Sequence, residues 1–461
     1  MNVSLIILAI LFCALCAVRP FKIGKFEMNL ATGSLVALFV LLALQVVGVG
    51  TIVSGIIGNG QLVPWEIIVI FFSALYVSVS TDVTGIFDFL AYTITHRANG
   101  NGYKLFLLLY AFTCTITVFT SNDIDILTLT PIIFYLGKHA RLNVVPLLFA
   151  QFLATNIVSM FFYTGNPTNI IVANALDLGF LEYASVMWLP TLIALFVNLV
   201  LLFVYFRKSI TKKFTVKKSS HYKVRNWTDA LISSGLLALM LIMLGFSEYL
   251  DVPIWVITLV FAVLFVVEDI LFSAYYYFKS ASLSKVQLSK RKDIYDIPKE
   301  KNEFWIAIKR IPWKILPFVV VLFILVEGLN EYGVIDSLAT FAASASDSLW
   351  QGIWFNGIAG VVLANLINNQ PMTILYSNIL VSDSFVVSDI AFQGAAYSVV
   401  IASNIAASFT IMGALAGLMW KKILSVKGLE ISYLDFLKVG ITITPIVFAS
   451  ALIALYVRLL F

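Results

Sequence analysis

"PWEIIVIFFSALYVSVSTDVTGIFDFLA" (residues 64–91) aligns without gaps on "PWKILPFVVVLFILVEGLNEYGVIDSLA" (312–339). Pro64/Pro312, Trp65/Trp313, Ile67/Ile315, Gly85/Gly333, Asp88/Asp336, Leu90/Leu338 and Ala91/Ala339 are identical, so Pro-Trp and Gly-x-x-Asp-x-Leu-Ala stay in register. The chain therefore reads as two related halves, 64–206 and 312–459, joined by a linker region, 207–311, with two spans and basic loops.

The composition around the repeat is that of a membrane protein. Of 461 residues 61% are hydrophobic and 12% charged, and the mean hydropathy is +0.97; soluble domains carry roughly 25% charged residues. Runs such as "VMWLPTLIALFVNLVLLFVYF" (186–206) are long enough to cross a hydrocarbon core of about 30 Å. The expected fold class is an all-α polytopic membrane domain with about ten transmembrane helices plus two re-entrant hairpins. The spans fall near 2–18, 30–52, 64–82, 145–176, 183–206, 228–247, 254–275, 313–330, 389–420 and 435–459. The first run has no basic residue before it and is expected to span rather than to be a signal peptide. Cys13, Cys16 and Cys114 lie in apolar segments and read as packing residues.

Charge sets the orientation. Every Lys and Arg except Arg458 falls in 19–27, 97–104, 138–141, 207–225, 279–314 or 421–438, whereas 53–63, 177–182, 248–253, 331–350 and 382–388 contain none. The positive-inside rule makes the basic side cytoplasmic, with both termini outside in a plasma-membrane setting. The net charge of +5 thus marks topology, not nucleic-acid binding. The loop 279–310 reads as a solvated linker. The first copy begins beside an uncharged connection and the second beside the most basic loop, so the halves are expected to run in opposite directions. Inverted repeats of this kind place a binding site near the midplane, at interrupted segments of each half.

Each half carries two interruptions. Residues 104–136 must leave and return on the basic side, which asks for a hairpin with its tip at "TSNDID". The counterpart, 352–381, enters from the other side with its tip at "INNQP". The span 145–176 is expected to break near its far end at "YTGNPTNII" (163–171), where Pro167 removes a backbone donor. Its partner is "ASNIAASFTIMG" (402–413) within 389–420. Irregular backbone at membrane depth is tolerated where it lines a cavity, and broken helices offer N–H groups to an anion and carbonyls to a hard cation.

The expected substrate- and ion-binding residues are Thr120, Ser121, Asn122, Asp123, Asp125, Gly165, Asn166, Thr168, Asn368, Asn369, Gln370, Ser403 and Asn404. Asp123 and Asp125 lead, because an ionised carboxylate at membrane depth costs about 2.5–3.5 kcal/mol even on the mild insertion scale. Asn122, Asp123, Asn368 and Asn369 are expected to face each other from the two tips, with H⁺ or Na⁺ as coupling ion and a possible Na⁺ site at Asn122 and Asp123. Glu268 and Asp269 are expected at the cytoplasmic interface, and Glu327 where water reaches it. Asp88 and Asp336 are expected to cap short helices after Gly85 and Gly333.

At these residues the chain resembles the ion transporter superfamily, and within it the arsenite permeases (ArsB/NhaD-type anion permeases). Asn122-Asp123 through Leu129-Thr130-Pro131 is similar to that family's first tip, Asn368-Asn369-Gln370-Pro371 to its second, and "GALAGLMW" (413–420) to the end of its second broken helix. Ser121-Asn122 and Gly165-Asn166-Pro167-Thr168-Asn169-Ile170 also resemble the dicarboxylate carriers of the superfamily. Where the arsenite family has a carboxylate in the second broken helix, this chain has Asn404. The resemblance implies a scaffold with a mobile, elevator-like transport domain, and a homodimer.

The sequence contains no Walker A loop, no Gly-x-Gly-x-x-Gly, no metal-spaced His/Cys set and no Gly-x-Ser-x-Gly. It is expected not to be an enzyme and to need no cofactor. Any pumping draws on an ion gradient or on a separate ATPase subunit. The expected function is ion-coupled secondary transport of a small inorganic or organic anion across the lipid bilayer, with arsenite/antimonite efflux against protons foremost. A Na⁺-coupled dicarboxylate, citrate or sulfate carrier and a Na⁺/H⁺ antiporter stand as alternatives. A channel would need a polar stripe along a span, and none is present beyond the interruptions.

Overall fold

The computed structural model describes residues 1–58, 62–215, 224, 226–281 and 303–461. Apart from one antiparallel ribbon, β1 (Phe21–Ile23) with β2 (Phe26–Met28), its named elements are helices. The chain opens with α1 (Asn2–Val18), α2 (Leu30–Ala43) and α3 (Val49–Ile57). The first half follows as α4 (Pro64–Val83), α5 (Ile86–Arg97), α6 (Gly102–Phe119), α7 (Asn122–Ala140), α8 (Val145–Val158), α9 (Pro167–Ala175) and α10 (Phe180–Phe206). Among the described residues the linker region supplies α11 (Trp227–Gly245), α12 (Ser247–Leu250), α13 (Ile254–Ala281) and α14 (Glu303–Arg310). The second half repeats the succession of the first as α15 (Ile315–Glu331), α16 (Val334–Ser344), α17 (Leu349–Ile367), α18 (Asn369–Val381), α19 (Asp389–Ile405), α20 (Leu415–Val426) and α21 (Tyr433–Leu460).

The corner between the first two helices of each half is set by glycine. Gly85 and Gly333 have φ of +80° and +69°, a left-handed conformation that costs other residues strain, and they occupy the N-caps of α5 and α16. Asp88 and Asp336 are therefore not the caps they were expected to be. They sit in the first turn without a capping bond, and Asp336 instead accepts from Ser382 Oγ at 2.8 Å.

Among the described residues, seven helices can each cross a membrane by length and composition (α4, α6, α10, α11, α13, α17 and α21), and α14 with α15 makes an eighth candidate bent by 40°. The run 30–52 is not one continuous span: α2 stops at Ala43, Gln45 has φ +56°, and α3 restarts behind Gly48. "QVVGVG" (45–50) is poor in helix formers and rich in residues that permit such a turn. α3 continues to Ile57, through residues expected to be a connection, and lies against α15. Most of the basic loop 279–310 falls outside the described residues. Its end, α14, packs on α4 and α13, and Arg310 pairs with the buried Asp82 at 2.6 Å.

Between helices in lipid the hydrophobic drive is weak, so close packing and polar bonds must hold them. α10 packs along α21, α17 along α19, and α4 along α13, while α1, α2 and α3 gather around α15. The halves also exchange partners. α7, the returning limb of the first hairpin, packs on α20 of the second half, and α18, the returning limb of the second, packs on α9 of the first. Beneath the first exchange Trp420 is fully buried among Phe149, Phe152 and Phe436, with ring centroids 5.1–6.0 Å away.

Candidate functional site

The first hairpin turns on Thr120 and the extended Ser121. α6 ends at Phe119, and Thr120 closes it with Oγ1 donating to Ile116 O at 3.0 Å. Ser121, the N-cap of α7, accepts from Ile124 N at 3.5 Å. This places Asn122, Asp123 and Asp125 in the first turn of α7, all buried, where the helix dipole favours negative charge. Asn122 Nδ2 donates to Asn156 Oδ1 at 3.3 Å, and Gln151 Nε2 donates to Asp125 Oδ2 at 2.7 Å. Asp125 is sealed, with no exposed surface, whereas Asp123 keeps 5% and its carboxylate accepts no hydrogen bond among the described residues.

The second hairpin turns on Asn368, whose φ of +78° is tolerated by asparagine better than by most side chains. Its Oδ1 accepts from Gln370 N at 3.4 Å and its Nδ2 donates to Met412 O at 3.2 Å. Asn369 Nδ2 donates to Ser403 O at 3.0 Å. Pro371 sits in the first turn of α18, where a missing N–H removes no helical bond.

The first broken helix parts earlier than expected. α8 ends at Val158, the chain passes through Ser159–Phe162 and a 3₁₀ turn at Tyr163–Gly165, and α9 begins at Pro167. Pro167 thus starts the second piece instead of ending the first, because the first helical position has no intrahelical N–H bond to lose. Asn166 caps α9, accepting from Thr168 N at 3.2 Å. Asn169 Nδ2 donates to the freed carbonyls of Ser159 and Phe162 at 2.8 and 3.2 Å. The second break runs from Ile405 through 3₁₀ turns at Ala406–Ser408 and Ile411–Gly413 to Leu415, so α20 extends to Val426, beyond the expected end at residue 420. Its N-cap, Ala414, offers no side-chain acceptor.

Asn404 joins the two breaks. Its Oδ1 accepts from Ser159 Oγ and from Asn166 Nδ2, each at 2.9 Å, and its Nδ2 donates to Asn169 Oδ1 at 2.6 Å. Beside it Ser403 Oγ donates to Thr168 Oγ1 at 3.1 Å. Ser159 Oγ also donates to Asn156 O at 3.0 Å. Amides and hydroxyls therefore link Asn122 through Asn156, Ser159, Asn404 and Ser403 to Asn369. The tips were expected to face each other directly. No hydrogen bond joins them among the described residues, and the broken helices carry the connection.

This network leaves acceptors over. Asn122 Oδ1, Asp125 Oδ1, Asn369 Oδ1 and Gln370 Oε1 are buried without a hydrogen-bond partner. Each of these oxygens can accept a hydrogen bond from a solute hydroxyl or contribute to holding a hard cation, and the Asp125 carboxylate can take a proton. Among the described residues no lysine or arginine is buried, so a charged anion would find only helix N-termini and any bound cation.

Sequence reasoning missed Gln151, Asn156, Ser159 and Asn169. The signal was available in the offset of 248 residues between Pro64 and Pro312, which recurs beyond the hairpins at the broken helices. It sets "ATNI" (154–157) on "ASNI" (402–405), Asn156 on Asn404, and Gly165 on Gly413. Both glycines are packed on backbone: a Cβ would lie 2.3 Å from Ser159 O at Gly165 and 2.3 Å from Ala406 O at Gly413. Gly165→Ala should therefore cost about 1–3 kcal/mol through overpacking and pull Asn166 off Asn404. Thermal melting of the purified variant should show the loss.

A family model described as "Citrate transporter" (CitMHS) matches residues 7–392, a range that includes both hairpins and the first broken helix. "Arsenical pump membrane protein" of Escherichia coli (strain K12) is 28% identical over 426 residues, covering 89% of this chain and 91% of its own. "Putative arsenical pump membrane protein" of Bacillus subtilis (strain 168) is 25% identical over 417 residues, covering 83% and 85%. The crystal structure of the YdaH transporter of Alcanivorax borkumensis aligns with a TM-score of 0.51 over 99% of this chain and 96% of that one. At 12% identity that likeness is one of fold.

Proposed function

Because the chain belongs to the citrate transporter (CitMHS) family, a family of multi-pass membrane transporters and not of enzymes, we propose that it exports arsenite and antimonite in exchange for protons. The observation that carries the reading is the amide and hydroxyl chain between the tips, built without a buried cationic side chain. Protonated arsenite is a small uncharged trihydroxide, which such groups can hydrogen-bond without a counter-charge. A di- or tricarboxylate would leave its charge unmatched at large desolvation cost. The names of the curated relatives, arsenical pump membrane proteins, support the same substrate.

Asp123 is the exchanging carboxylate in this reading and Asp125 the second acid behind it. Asn122, Asn368, Asn369 and Gln370 bind the solute from the tips, with Thr120, Ser121, Gly165, Asn166, Thr168, Ser403 and Asn404 shaping the breaks. A proton moving inward through 100 mV releases about 2.3 kcal/mol. Exchanged for one neutral solute, that sustains a gradient of about fifty-fold, so no ATP site is required, although a separate ATPase subunit would raise it. The matched succession of elements and the alternation of basic connections support inverted repeats with both termini outside. The exchange of hairpin partners between halves supports a transport domain that moves as one body, elevator-like; in this reading it works within a homodimer in the plasma membrane.

Expression in cells lacking their own arsenite exporter tests the substrate. Tolerance to arsenite and antimonite should rise several-fold with no new growth on citrate. Unchanged tolerance, or growth on citrate, contradicts the reading.

A further inference from the structure

A second acidic pair lies outside this site. Glu268 and Asp269 of α13 were expected at the interface, yet both are buried, 7% and 4% exposed, because α4 and α11 close over them. Tyr76 OH donates to Asp269 Oδ2 at 2.5 Å and Ser80 Oγ to Asp269 Oδ1 at 2.9 Å, both from α4. Ser233 Oγ of α11 donates to Glu268 Oε1 at 2.9 Å. Three of the four carboxylate oxygens thus have a hydroxyl donor. The fourth, Glu268 Oε2, is buried without a hydrogen-bond partner.

Among the described residues no lysine or arginine is buried beside the pair. α11 carries the buried Asp229 four residues before Ser233, and α4 contributes Tyr76. α14 brings the buried Glu303, while its Lys309 is exposed and its Arg310 is committed to Asp82. An ionised Glu268 would leave a buried carboxylate oxygen, Oε2, without a hydrogen-bond donor, at a large desolvation cost; a proton on Glu268 removes that charge and makes Oε2 a hydroxyl.

We propose that Glu268 and Asp269 form a second proton-binding site, held by Tyr76, Ser80 and Ser233, separate from the broken-helix site, with Glu268 carrying the proton. The site ties the linker spans α11 and α13 to the first helix of the first half. It does not depend on which solute is transported.

Infrared spectroscopy of the full-length protein in lipid nanodiscs, with glutamate isotopically labelled at the carboxyl carbon, reads it directly. At neutral pH the labelled protein should show a protonated glutamic acid C=O band that is lost in Glu268→Gln and unmoved by arsenite. Ser233→Ala, which keeps every carboxyl group, should shift that band by removing a donor. Absence of the band, its persistence in Glu268→Gln, its displacement by arsenite, or no shift in Ser233→Ala each overturns the proposal.

Discussion

Replacing Asn404 by leucine should abolish transport, lowering the initial rate of arsenite uptake by about 100-fold or more while the protein still inserts in the membrane. Leucine has the same branching and number of side-chain heavy atoms, with somewhat more bulk, and removes every polar bond of the side chain. Asn166 Nδ2 and Asn169 Oδ1 would each lose a partner across the two halves, and Ser159 Oγ would keep only Asn156 O. A buried polar group left unpaired costs about 1–3 kcal/mol, so two such groups are enough to release the breaks from one another. Asn404→Asp separates geometry from packing. It still accepts from Ser159 and Asn166 but no longer donates to Asn169 Oδ1 or Val400 O, so it should fall between wild type and leucine. Uptake at wild-type rate by the leucine variant would mean the bridge between the breaks is dispensable.

Asp123→Asn should uncouple transport from the proton gradient without destroying the path. The side chain is buried in the first turn of α7 and accepts no hydrogen bond among the described residues, so an amide of the same shape leaves the hairpin intact. Solute-for-solute exchange in proteoliposomes should persist, whereas accumulation driven by a pH difference should fall about ten-fold or more, toward equilibration. Retention of gradient-driven accumulation would move the coupling role to another group.

What was legible in the sequence follows from range. The hairpins could be read because their apolar runs are interrupted by polar tips, the first bounded by lysines at both ends and the second by connections that have none. Asn122 and Asn368–Asn369 therefore stood out locally. The position of the first break could not be read that way. Asn166-Pro167 dominates the local reading, yet proline only starts α9, and the end of α8 is fixed by Asn169 reaching back to Ser159 and Phe162. Asn156 carries no local signal, and its role appears only through Asn122 and its counterpart Asn404. Glu268 and Asp269 were misplaced for the same reason: the hydroxyls that accommodate them come from Tyr76, Ser80 and Ser233, on helices distant in sequence. The turn after Ala43 was written in Gln45 and Gly48 but outweighed by the apolar residues around it.

The central claim, proton-for-arsenite exchange through the bridged hairpins, is tested most directly by arsenite uptake into proteoliposomes under an imposed pH difference. With the interior acid, arsenite should accumulate above the external concentration, and a protonophore should abolish the accumulation. No accumulation in either polarity, or accumulation only with the exterior acid, would contradict it.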